Sequence, residues 1–105
     1  MIKHIQSVEE FEKEIAVGKK VVDFFATWCG PCRNLTPLLE EFAEENPDVD
    51  VLKVDCDELP ALASKFFVSS IPYMITFIDG RRTGENIGFL PKPSLNRFLK
   101  SSLSL

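Results

Sequence analysis

Histidine, tryptophan and tyrosine occur once each in these 105 residues, and cysteine only three times. Three cysteines cannot staple a small secreted scaffold, and one histidine cannot supply a histidine-based metal site. Basic residues are also in deficit, 12 Lys and Arg against 16 Asp and Glu, for a formal net charge of −4. That balance speaks against a partner such as nucleic acid or an anionic membrane surface. No apolar run approaches the roughly 20 residues of a membrane-spanning helix. The opening Met1-Ile2-Lys3-His4-Ile5-Gln6-Ser7 has no signal-peptide apolar core. A cytoplasmic, reducing setting is therefore expected. Repeats, linkers and low-complexity segments are missing too, so residues 1–105 are expected to form one domain. What the chain does have is apolar mass: 45% hydrophobic residues, nine of them Phe, enough to build a core without staples.

Two of the three cysteines fall in Trp28-Cys29-Gly30-Pro31-Cys32. Cysteines at this spacing reach each other within one turn at a helix start. Pro31 is tolerated there because the N–H it lacks would have no intrahelical partner. Unpaired N–H groups and the positive end of the helix dipole favour thiolate over thiol, and the thiolate is the species that attacks disulfides. Cys29, ahead of the helix, is expected nearer to solvent, and Cys32, one turn in, more buried. The pentapeptide thus reads as a reversible dithiol/disulfide switch. Half of a zinc site is the competing reading. Zinc needs four ligands, and beyond this pair the chain offers only Cys56 and His4 as the usual soft donors, so no metal site is expected.

The rest of the sequence alternates between strand and helix patterns. Ile2–Ile5 suits a short strand. Ser7 and Glu10 form a capping-box pair, with Val8, Phe11 and Ile15 on one helical face and Gly18 as the stop. The near-continuous apolar run Val21–Ala26 suits a central strand covered on both faces. A helix from about Cys32 to Glu45 would bury Leu35, Leu38, Leu39 and Phe42, kink at Pro37 and present Glu40, Glu41, Glu44 and Glu45 to solvent. Val49–Val54 alternates as a strand does. Leu59–Phe67 suits a short helix and Tyr73–Ile78 a strong strand. Asp79-Gly80 is a hairpin turn into a return strand Thr83–Gly88. A last amphipathic helix begins near Pro93-Ser94 and frays after Ser101. The order β-α-β-α-β-α-β-β-α predicts an α/β fold: a three-layer α/β/α sandwich around a mixed five-stranded sheet. Phe11, Phe24, Phe42, Phe66 and Phe77 are expected in the core; Phe67 and Phe89 are left open, Phe89 as a candidate substrate contact.

Inside the Val22-Asp23-Phe24 strand, Asp23 stands out. A buried carboxylate is costly and its pKa rises. Beneath a dithiol, such a group can serve as a proton acceptor; alternatively it is a satisfied polar residue or a strand-edge surface group.

Val22-Asp23-Phe24, Trp28 to Cys32 with Pro37 five residues on, Lys53-Val54-Asp55, Ile71-Pro72 and Gly88 together resemble the thioredoxin family, over essentially the whole chain. The resemblance implies a thioredoxin fold and a protein disulfide reductase with no bound cofactor. Electrons would come from NADPH through a thioredoxin reductase, a ferredoxin-linked one being the alternative. It implies Cys29 as attacking nucleophile, Cys32 as resolving cysteine and Asp23 as proton acceptor for Cys32. Lys53 would be the partner of Asp23, although a lone strand lysine also suits a solvated rim. Gly30 and Pro31 tune the dithiol. Pro72 would be cis and face it, whereas composition alone favours a trans Pro at a strand start. Trp28, Ile71, Pro72 and Gly88 would meet substrate, Trp28 as an exposed plate and Ile71 through its backbone. Gly88 equally suits a strand end. Partners would be the reductase and disulfide-containing clients, with the protein itself a monomer. Cys56 is expected to be a small buried hydrophobe or bystander thiol, and His4 structural.

The chain departs from the family pattern at Phe25, where a second Trp is frequent, and at Ser69-Ser70 and Tyr73 around the Ile71-Pro72 bend. These put partner choice in question, not the chemistry. Arg33 keeps a positive charge beside Cys32. Two other readings stay open: an oxidase or isomerase on the same fold, and a binding module whose turnover is incidental.

Overall fold

A computed structural model describes residues 1–105. The elements are β1 (Ile2–His4), α1 (Val8–Ile15), β2 (Lys19–Phe25), α2 (Gly30–Glu45), β3 (Val49–Asp55), α3 (Pro60–Lys65), β4 (Tyr73–Ile78), β5 (Arg81–Ile87) and α4 (Lys92–Ser102). They make one sheet of order β1-β3-β2-β4-β5. β1, β3 and β2 run parallel, and β4 and β5 are antiparallel to their neighbours. The sheet is the mixed, five-stranded one expected.

Alternation along β2 sorts the two cores. Val21 packs with Leu35, Leu39 and Phe42 of α2, Leu95 and Leu99 of α4, and Leu103 at the C-cap of α4. Val22 and Phe24 pack on the other face with Phe11 of α1 and Leu62 of α3. A strand buried on both sides has no polar face, which is why Val21–Phe24 reads as an unbroken apolar run apart from Asp23. By the same alternation Asp23 and Phe25 share the α2 side of the sheet with Val21. Phe66 is only half-buried, yet its ring meets those of Phe11, Phe24 and Phe77 edge-on or tilted.

Boundaries differ from the sequence expectations in instructive ways. α2 starts at Gly30, not Cys32, because Cys29 itself is the N-cap: its Sγ accepts the Cys32 N–H at 3.3 Å. β2 begins two residues early, at Lys19, where the aliphatic stem and ammonium of the next residue, Lys20, are tucked between Glu14 and Asp50. β5 covers Arg81–Ile87, directly from the Asp79-Gly80 turn, instead of Thr83–Gly88. α3 is shorter than its apolar pattern, ending at Lys65. Ser7 caps α1 by accepting the Glu10 N–H at 3.1 Å, but the returning Glu10 carboxylate takes the N–H of Gln6 at 2.6 Å, one residue before the cap. Pro37 lies within α2, which remains one continuous helix. Glu41 is half-buried and paired with Lys92, unlike exposed Glu40, Glu44 and Glu45.

Candidate active site

The site forms at the carboxyl ends of parallel β2 and β3, where the chain leaves the sheet and turns into α2. Cys29 and Cys32 are joined as a disulfide with Cα atoms 5.3 Å apart. The Cys29 N–H donates to Ala26 O at 3.2 Å and Arg33 N–H donates to Cys29 O at 3.2 Å, so backbone bonds fix the turn on both sides. In the reduced protein, the same N-cap geometry would direct the Cys32 N–H at a Cys29 thiolate, stabilising charge there. Arg33 Nη1 donates to Thr27 O at 2.9 Å, which holds the guanidinium at the rim of the turn.

The expected order of exposure holds, Cys29 at 5% against Cys32 at 1%, but both residues are buried. They cluster with Ala26 and are flanked by Phe25 and Ile71. The loop before β4 covers Cys29: its Sγ lies 3.9 Å from the Ile71 carbonyl oxygen. The Ile71–Pro72 peptide bond is cis, and the Pro72 carbonyl accepts the Gly88 N–H at 2.8 Å. Gly88 has φ +95° with open space where a Cβ would project, so a non-glycine residue is disfavoured by backbone conformation and not by crowding. Trp28 is 69% exposed and its indole Nε1–H donates to Asp57 at 2.9 Å, which fixes the ring as a plate beside the dithiol.

Asp23, two residues before the end of β2, stands directly across from Lys53 on β3. Both are buried, and Lys53 Nζ is 2.9 Å from Asp23 Oδ2. At that distance the ammonium neutralises the carboxylate directly, and no other donor reaches either Asp23 oxygen. Burial drives the Asp23 carboxyl above its ordinary pKa, and the Lys53 charge only partly opposes this. Lys53 Nζ also donates to Thr36 Oγ1 at 2.8 Å. Thr36 donates in turn to Cys32 O at 3.1 Å. The Phe25 ring completes the ammonium's surroundings, its centroid 4.5 Å from Nζ. The aromatic at position 25 therefore keeps a cation–π contact although it has no indole N–H. A cleft of about 330 Å³ lined by His4, Phe25, Thr27, Cys32, Thr36 and Lys53 opens this region to solvent. His4 is exposed and edge-on to Phe25.

Two residues here are not singled out by the sequence reading, Thr36 and Asp57. Thr36 carried a signal, since residues i and i+4 of a helix share a face and Cys32 is its i−4 neighbour. Asp57 carried none, because only the turn after β3 brings it to Trp28. Cys56, expected to be a small buried hydrophobe or a bystander thiol, is a half-buried free thiol. Its thiol is pushed up to about 11, by burial first and then by Asp55, Asp57 and Asp23.

Around the bend, the unusual residues form a surface of their own. Tyr73 Oη donates to Glu85 and accepts from Arg82 Nη2 at 2.8 Å. With Phe67, Ser69, Ser70 and Ile87 they line a groove of about 290 Å³. Phe67 is 89% exposed with φ +54° and Phe89 is 42% exposed, so neither joins the core.

The chain has clear relatives. The family model described as thioredoxin matches residues 2–101. A thioredoxin of Chlamydia trachomatis is 46% identical over 95 residues, covering 90% of this chain and 93% of the relative. One of Staphylococcus haemolyticus is 47% identical, covering 89% and 90%. Among solved structures, a single-site mutant of a thioredoxin from Halobacterium salinarum superposes with a TM-score of 0.90 at 33% identity, covering 99% of this chain and 92% of that one. Oxidised thioredoxin from Plasmodium falciparum gives 0.88 at 28% identity, covering 98% and 99%. With the dithiol at disulfide distance at the head of α2, the chain belongs to the thioredoxin family and is a thiol-disulfide oxidoreductase.

Proposed function

We propose that the protein reduces disulfides of client proteins with Cys29 as nucleophile, Cys32 as resolving cysteine and Asp23 as proton acceptor. The observation that carries this division of labour is the cap: Cys29 Sγ receives the Cys32 N–H, whereas Cys32 lies one turn inside α2 at 1% exposure. The Cys29 thiolate attacks one client sulfur, and the other leaves as a thiolate. Cys32 gives its proton to the Asp23 carboxylate and attacks Cys29 Sγ. The Cys29–Cys32 disulfide forms, the second client thiolate departs, and two electrons have passed to the client. Gly30 and Pro31 set the turn. Lys53 steadies the charge on Asp23. Trp28, the Ile71 backbone, Pro72 and Gly88 make the client contact, supported by the Ile71 carbonyl 3.9 Å from Cys29 Sγ and by the Gly88 N–H bonded to Pro72 O.

Thioredoxins are recharged by thioredoxin reductase, and we assign NADPH as the electron source here, with no cofactor bound to the chain itself. The protein acts as a single-domain monomer over residues 1–105 in the cytoplasm. The charge of −4 supports a role without nucleic acid or membrane partners, and no helix is long and apolar enough to cross a membrane. Cys32→Ser is expected to accumulate client adducts through Cys29 that dithiothreitol releases; no such adducts with any disulfide protein would refute the assignment. Equilibration of the dithiol with glutathione separates this reading from an oxidase or isomerase: a potential below the cytosolic glutathione range is expected of a reductase.

A further inference from the structure

We propose that Thr36 is a positioning residue for the resolving step: its hydroxyl shares the Lys53 ammonium with Asp23, so that the ammonium is not committed wholly to the carboxylate. This rests on the reading of Asp23 as proton acceptor for Cys32.

The geometry is specific. Lys53 Nζ lies between two acceptors, 2.9 Å from Asp23 Oδ2 and 2.8 Å from Thr36 Oγ1. A lysine ammonium has three N–H donors, and a buried carboxylate is the strongest acceptor available to it. Thr36 and the Phe25 ring compete with that carboxylate for the ammonium. The hydroxyl is itself fixed, because its proton is spent on Cys32 O, one turn back on α2. A threonine satisfied only by its i−4 carbonyl is ordinary in a helix. One that also accepts from a buried ammonium, linking Cys32 O through Thr36 and Lys53 to Asp23, is not.

Without the Thr36 oxygen, the nearest acceptor for Lys53 is Asp23. The ammonium would commit wholly to the carboxylate and stabilise the ionised form, leaving a weaker base for the Cys32 thiol. Loss of one such arrangement corresponds to about a tenfold slowing of the proton-coupled step.

Ellman's reagent resolves the two steps. Attack by Cys29 releases one coloured thiolate at a rate proportional to reagent concentration. Attack by Cys32 on the mixed disulfide releases a second at a concentration-independent rate. Thr36→Val preserves shape and removes the acceptor; Thr36→Ser keeps the hydroxyl. In Thr36→Val the first phase is expected unchanged and the second about tenfold slower, with Thr36→Ser close to wild type. Asp23→Asn serves as reference and is expected to slow the second phase further. A second phase in Thr36→Val within about twofold of wild type, beside a slowed Asp23→Asn, overturns the role of Thr36 alone. Equal slowing of both phases, or failure of Thr36→Ser to restore the second, marks a packing role and also overturns it. An unslowed Asp23→Asn removes the proton-acceptor reading and this inference with it.

Discussion

Asp23→Asn should make the oxidised protein more stable at neutral and alkaline pH. Asp23 is fully buried, and Lys53 is the one donor within reach of its two carboxylate oxygens. A buried polar group without a partner costs about 1–3 kcal/mol, more when charged. Attraction to Lys53 at 2.9 Å offsets part of this, but the net effect of the surroundings still raises the Asp23 pKa, with burial the larger influence. The opposing risk is an unpaired Lys53, since removing one member of a buried pair is ordinarily damaging. Here the ammonium keeps Thr36 Oγ1, the Phe25 ring and an opening to the cleft, and the new amide offers it a carbonyl oxygen. The expected balance is a gain of about 1 kcal/mol at pH 8, the low end of the cost of an incompletely satisfied buried polar group, or about 4–8 °C in midpoint for a domain of this size. The sign with pH follows from linkage. A carboxyl whose folded pKa lies above its unfolded value is held ionised at a cost at high pH. That cost fades as pH falls through the folded pKa and is gone below the unfolded one. The advantage of Asp23→Asn should therefore be full at pH 8 and shrink on acidification. Urea unfolding of both oxidised proteins from about pH 4 to pH 9 checks this. A variant less stable than wild type at pH 8, or a difference flat across the range, would refute the account of Asp23 as a destabilised charge.

Three further outcomes are expected. Phe67→Gly should raise stability by up to about 1 kcal/mol in urea, because left-handed backbone disfavours a bulky residue by roughly 1–2 kcal/mol and glycine returns part of that as unfolded-state entropy; at 89% exposure Phe67 buries little to lose, so a loss of stability would mean the ring has contacts that matter. Cys56, pushed up to about 11, should react with iodoacetamide at pH 8 at least about tenfold more slowly in the folded oxidised protein than in urea, since only the thiolate is alkylated; equal rates would remove the case for its inertness. Trp28, held by Asp57 beside the dithiol, should change fluorescence when Cys29–Cys32 is reduced, and identical spectra in both states would be inconsistent with its placement.

Legibility followed the range over which each residue is determined. The dithiol turn is readable because its residue types and spacing act within one helical turn, and Asp23 because a carboxylate interrupts an apolar run. Lys53 is ambiguous for the opposite reason. Alternation places it on a strand, but only the register Asp23↔Lys53 shows that it faces α2 and not solvent. Phe67 reads as the end of a helix by composition; α3 stops two residues earlier, and Phe67 then takes a left-handed conformation that its side chain would not select. Cys29 reads as nearer to solvent because local spacing cannot show that Ile71, roughly forty residues on, lies over its sulfur. These cases separate the chemistry from its control. The reactive pair is encoded locally, whereas the groups placed to set its proton balance and its access, Thr36, Lys53 and the Ile71–Pro72 bend, arrive from α2, β3 and the start of β4. Substitutions at those three places should therefore alter rate and partner choice while leaving the disulfide itself able to form.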